Sequence, residues 1–115
     1  MDKLYSTDKI MTYVGNSEEN CKELLRLFAE TIPVELDKLR AEITNKNWEK
    51  AHEILHRIKP SFEIMQIKYG SEEFIKLNNN ISSKIDLDNS LELYNNMKNH
   101  IFKAIEEIMV DINKD

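Results

Sequence analysis

Three side chains within two helical turns carry the chemistry most worth weighing in this sequence: His52, His56 and Lys59, with Glu53 and Glu63 between and beyond them. On a helix, residues three and four apart are surface neighbours. His56 then has His52 and Glu53 on its N-terminal side, Lys59 and Pro60 on its C-terminal side, and Glu63 two turns on. A neutral imidazole offers a nucleophilic nitrogen near physiological pH. A phosphoryl group added to it carries about two negative charges near neutral pH, and an ammonium one turn away is placed to offset them. The same stretch also spells His52-Glu53-Ile54-Leu55-His56, the His-Glu-x-x-His pattern that sets two imidazoles and a glutamate base on one helical face for zinc-dependent peptide hydrolysis. That chemistry needs a third ligand, for which Glu72 or Glu73 is the available choice, and a cleft with a strand that this sequence does not offer.

These side chains need a long helix beneath them, and the periodicity supplies one. Trp48, Ala51, Leu55, Ile58, Phe62 and Met65 step by three and four, the spacing of one buried stripe. At about 100° per residue, His56 lies more than a quarter turn from the middle of that stripe and is expected to face solvent. Asn47 is the expected cap of this helix and Gly70 the left-handed residue that ends it. Pro60 lacks the donor that would bond the His56 carbonyl, so a bend is expected beside the histidine.

Three further long helices are expected around it. Ser17, followed by Glu18 and Glu19, caps a helix with a stripe through Leu25, Phe28, Ile32, Leu36, Leu39 and Ile43. Pro33 falls inside that stripe and is expected to kink the helix rather than split it, because the pattern stays in phase on both sides. Thr44 to Asn47 reads as a short loop. Ser71, Glu72 and Glu73 open a third helix with apolar positions Phe74, Leu77 and Ile81, and Asp86 or Asp88 caps a last one whose stripe runs Leu91, Tyr94, Met97, Ile101, Ile105, Ile108 and Ile112. Tyr5, Ile10, Met11 and Val14 suggest a short N-terminal helix across one end. The fold class expected is all-α: an antiparallel four-helix bundle with a short N-terminal helix, kinked at Pro33 and Pro60.

The whole chain is consistent with this. Its 115 residues suit one domain spanning 1–115, and two glycines with two prolines leave little material for hairpins. Cys21 is the only cysteine, so no disulfide or thiolate cluster forms within one chain, which fits a reducing cytoplasmic setting. The net charge of -5 argues against nucleic acid as a partner, and no apolar run is long enough for a signal peptide or a membrane span. Cys21 and His100 read as ordinary structural residues, and a monomer is expected.

The segment from Asn47 to Phe62, Asn-Trp-Glu-Lys-Ala-His-Glu-Ile-Leu-His-Arg-Ile-Lys-Pro-Ser-Phe, resembles the signature of histidine-containing phosphotransfer domains, in which a polar turn and often a tryptophan lead into His-x-Leu-Lys-Gly and a small residue. His56, Ile58 in the leucine position, Lys59 and Ser61 match it. Leu55 stands where a small residue is usual before the histidine, Pro60 replaces the usual glycine, and Gln66 stands where a second glycine is common. Leu24 to Trp48 resembles the family's preceding helix and turn, including a proline near Pro33, so the likeness covers roughly half of the chain.

The resemblance implies that His56 takes a phosphoryl group from an aspartyl phosphate on the receiver domain of a hybrid histidine kinase and passes it to an aspartate of a response regulator. Lys59 would offset the charge, and His52, Pro60 and Glu63 would belong to the partner surface, with apolar residues of the N-terminal segment. The module would be a carrier rather than an enzyme, with no cofactor or metal of its own and the magnesium supplied by the receiver. Other readings of the same residues are the zinc peptidase above, a helical adaptor without phosphoryl chemistry, and the phosphoacceptor bundle of a sensor kinase. In the last of these an acidic residue normally follows the histidine, where this chain has Arg57.

Overall fold

The computed structural model describes residues 3–114, and every regular element among them is helical. In chain order these are α1 (Asp8–Tyr13), α2 (Glu18–Thr44), α3 (Trp48–Ile64), α4 (Ser71–Ser83), a single 3₁₀ turn (Leu87–Asn89) and α5 (Ser90–Ile112). Helix α2 packs against α3 and α5, and α4 packs against the same two, so each long helix has two long neighbours. Helix α1 lies against α2.

The start of α2 is built as its sequence dictates. Ser17 is extended and its hydroxyl accepts the Asn20 amide at 3.2 Å, satisfying one of the free donors of the first turn. The helix then runs unbroken through Pro33 for 27 residues. Its inward positions match the expected stripe, with Leu36 and Leu39 fully buried. The core they enter is closed from α5 by Tyr94, Met97, Ile101 and Ile108, all at 0 % exposure. The Tyr94 hydroxyl donates to the Leu36 carbonyl at 2.7 Å, and burial pushes its phenol up to about 12.

Several boundaries differ from the sequence reading. Helix α3 ends at Ile64, and the left-handed residue that follows is Gln66 (φ 49°), not Gly70. Gly70 (φ 99°) instead sits directly before α4, where an added Cβ would lie 3.3 Å from that of His100. The chain between α3 and α4 is hydrogen-bonded to the N-terminal segment: the Lys68 amide donates to the Leu4 carbonyl and the Ser6 amide to the Met65 carbonyl. Asn47 holds the position before α3 without a side-chain cap bond. Neither Asp86 nor Asp88 caps α5, because the 3₁₀ turn intervenes and Asn89 precedes the helix. Leu91 is 40 % exposed. Each three-residue step falls about 60° short of a full turn, so a stripe drawn Leu91, Tyr94, Met97 drifts, and the buried face is carried by Leu93, Tyr94 and Met97 instead.

The N-terminal segment is tied to α5 through Asp111. Its carboxylate accepts the Tyr5 hydroxyl and the Lys3 ammonium, each at 2.6 Å, and the Leu4 amide donates to Glu107 at 3.0 Å. The Lys3 and then the Tyr5 hydrogen bond hold the Asp111 carboxyl below its ordinary value of 3.8, against the opposing effect of burial. A lowered carboxyl stabilises the folded state at pH above the unfolded value, and that stabilisation is lost as pH falls through the folded one. Urea unfolding at a series of pH values is therefore expected to show a steeper acid loss in the wild type than in Asp111→Asn. Equal slopes would mean that this tie contributes nothing.

Candidate functional site

Helix α3 turns Ala51, Ile54, Leu55, Ile58 and Phe62 into the core. The residues this leaves outside are those singled out by type. His56 is exposed, as are Glu53, Arg57, Lys59, Pro60 and Glu63, while His52 and Ser61 are half-buried. His56 thus stands in the interior of a 17-residue helix on its solvent side, its direction set by the inward neighbours Leu55 and Ile58. Pro60, one turn on, contributes no N–H, so the His56 carbonyl lacks its helical donor while α3 continues to Ile64.

Lys59 and Glu63 form a loose ion pair one turn apart, Nζ to Oε1 4.0 Å, with both side chains more than half exposed. An exposed pair of this length is weak, so it holds the ammonium only loosely. On the opposite flank Arg57 reaches α2, where Nη2 and Nε donate to the Glu35 carboxylate at 2.7 and 3.0 Å. Glu35 also has Lys38 at 3.7 Å. The Glu35–Arg57 tether was not singled out from sequence: Glu35 sits in no motif, Arg57 fills the variable position after His56, and their meeting depends on the register of α2 against α3. Val34, beside Glu35 in the chain, is 53 % exposed.

The rings of His52 and His56 are stacked, with centroids 6.5 Å apart and planes 26° apart. Among the described residues neither imidazole has a hydrogen-bond or ion-pair partner. His52 faces a groove between α3 and α4 that is lined also by Trp48, Glu49, Glu53, Ile81 and Lys84. Glu73, considered above as a third zinc ligand, lies 3.7 Å from His100 Nε2, and the Tyr69 ring packs near the same imidazole. Among the described residues no three His, Cys, Asp or Glu side chains converge to hold a metal ion. Cys21 is buried, and burial pushes its thiol up, away from the reactive thiolate. Among the described residues no helix is long and apolar enough to cross a membrane.

No protein-family model, curated protein or solved structure matches this chain.

Proposed function

We propose that this chain is a phosphoryl carrier of a two-component phosphorelay: one domain, an antiparallel four-helix bundle with a short N-terminal helix, working as a monomer in the cytoplasm. It accepts the phosphoryl group on His56 from a receiver-domain aspartyl phosphate of a hybrid histidine kinase and passes it to the aspartate of a response regulator. The observation that carries this reading is an exposed, unpartnered imidazole in the interior of a long helix, with an exposed and weakly held ammonium one turn away. A carrier needs its nucleophile reachable from outside rather than enclosed. The left-handed backbone at Gln66 adds support, since the family it resembles commonly has glycine at that position.

In the transfer, the imidazole lone pair attacks phosphorus and an N–P bond forms. The P–O bond to the receiver carboxylate breaks, its electrons returning to the aspartate. The receiver supplies magnesium and most of the stabilisation of the in-line transition state. The reverse step, on a second receiver, regenerates free His56. His52, Pro60 and Glu63 would border the docking surface, with exposed apolar side chains such as Val34 and Tyr13 available to extend it.

The test is incubation with phosphorylated receiver domains and magnesium, followed by mapping of acid-labile, base-stable phosphate. Label on His56 is the expected result, and absence of label from every receiver tried would overturn the reading. Lys59→Ala is expected to slow transfer roughly fivefold, the effect of about 1 kcal/mol from one exposed charge contact. With phosphoramidate as donor, where no partner docks, Glu63→Gln, which frees the ammonium, is expected to leave labelling of His56 unchanged or faster. Slowing by both variants alike would show that the pair, not the lysine, matters.

A further inference from the structure

The carrier reading uses one histidine and leaves the second unexplained. His52 lies one turn from His56 on the same flank of α3, ring against ring, and both imidazoles are free of hydrogen-bond and ion-pair partners among the described residues. From this geometry we infer that His52 and His56 together form a two-imidazole site for a late first-row divalent cation such as Zn²⁺, Ni²⁺ or Cu²⁺, and that its occupation excludes phosphorylation of His56. The second half of this inference rests on the proposed function; the first does not.

Imidazole nitrogens suit these cations, whereas Mg²⁺ and Ca²⁺ take oxygen ligands. With metal–nitrogen bonds of about 2.0–2.1 Å and near-tetrahedral angles, the two rings need centroids about 5 Å apart. They stand at 6.5 Å with planes 26° apart, so coordination requires a closure on the order of 1 Å together with side-chain rotation that turns both in-plane lone pairs toward one point. No hydrogen bond or ion pair among the described residues holds either ring in place. The surrounding charge is mixed. Glu49 lines the same groove as His52, and Glu53 lies between the two histidines in sequence; both are exposed and attract a cation. Lys84, which lines that groove, and Lys59 oppose it, Lys59 while being drawn toward Glu63. Among the described residues no third His, Cys, Asp or Glu joins the pair, so two protein ligands would leave the remaining positions to water.

The exclusion follows from electron counting. A neutral imidazole has one nitrogen that carries N–H and one with an in-plane lone pair. Coordination donates that lone pair to the cation, and the attack on phosphorus needs the same one. A metal-loaded His56 therefore has no nucleophile to offer. Magnesium, which a receiver requires, does not compete for the site.

Metal-free full-length protein should be titrated with Zn²⁺, and separately with Mg²⁺, by calorimetry and by the imidazole resonances in NMR. One equivalent of Zn²⁺ bound by wild type and by His100→Ala, lost in both His52→Gln and His56→Gln, is the expected result. Zn²⁺ affinity retained in His52→Gln, or lost in His100→Ala, would overturn the site. Phosphorylation is then read with phosphoramidate as donor, whose P–N bond breaks to release ammonia as the P–N bond to His56 forms, so that no receiver metal site intervenes. Zn²⁺ should block labelling of wild type and not of His52→Gln, and equal inhibition of both would refute the exclusion. Failure of wild type to label without zinc would instead count against the carrier reading, while the titration still decides the metal site.

Discussion

Replacing His56 by glutamine is expected to abolish the acid-labile phosphate completely while leaving the fold intact. The reason lies in how little else His56 does. Its side chain is exposed, and its described contact is the stacked ring of His52 at 6.5 Å. It is an exposed side chain with no hydrogen bond to lose, so stability should stay within about 0.5 kcal/mol of wild type. Chemistry, by contrast, has no substitute. His52 is half-buried, and His100 lies beside Glu73 and Tyr69, away from Lys59. His52→Gln and His100→Ala should therefore both keep the label. Mass mapping after phosphoramidate treatment, paired with urea unfolding, checks both halves. Label persisting in His56→Gln, or appearing on His52, would move the acceptor and sink the assignment.

The outward position of His56 was legible because the stripe of α3 is nearly free of competing signals: Leu55, Ile58 and Phe62 are all inside, and 100° per residue then places the histidine. The same arithmetic served α2 from Leu25 to Ile43. It failed where helix ends, not faces, were at stake. Gly70 looked like the terminator of α3 because glycine accepts positive φ without cost, yet Gln66 adopts φ 49° six residues after Pro60. Among the described residues five non-glycine positions take positive φ, Asp86 among them, and composition does not signal them. Contacts between distant charged residues were equally hidden. Arg57 meets Glu35, and Tyr5 and Lys3 meet Asp111, only because helix register and the path of the N-terminal segment bring them together. The candidate site was readable because it is local to one helix. What supports it from α2 and α5 is set by packing.

Leu55→Ala is expected to do the reverse of His56→Gln one residue away. Leu55 is at 0 % exposure, and truncating such a side chain removes its transfer free energy and leaves a cavity, at a cost of about 2–5 kcal/mol. Against a total of about 5–15 kcal/mol for a domain, that is a large fraction. Urea unfolding followed by helical circular dichroism should show a lower midpoint with an unchanged slope. Phosphoramidate labelling in the folded population should remain near wild type, because Ile54, Ile58 and Phe62 still anchor the inward face of α3 and His56 keeps its outward direction. The substitution has a second edge. The resemblance to histidine phosphotransfer domains puts a small residue before the phosphoacceptor, so alanine restores the family pattern at position 55. If that position served the site rather than the core, the change would cost little stability and would raise labelling. A loss under about 1 kcal/mol would thus contradict the packing argument. A large loss with labelling preserved would show that leucine is there to fill space between helices, and that the departure from the family pattern concerns packing and not phosphoryl transfer.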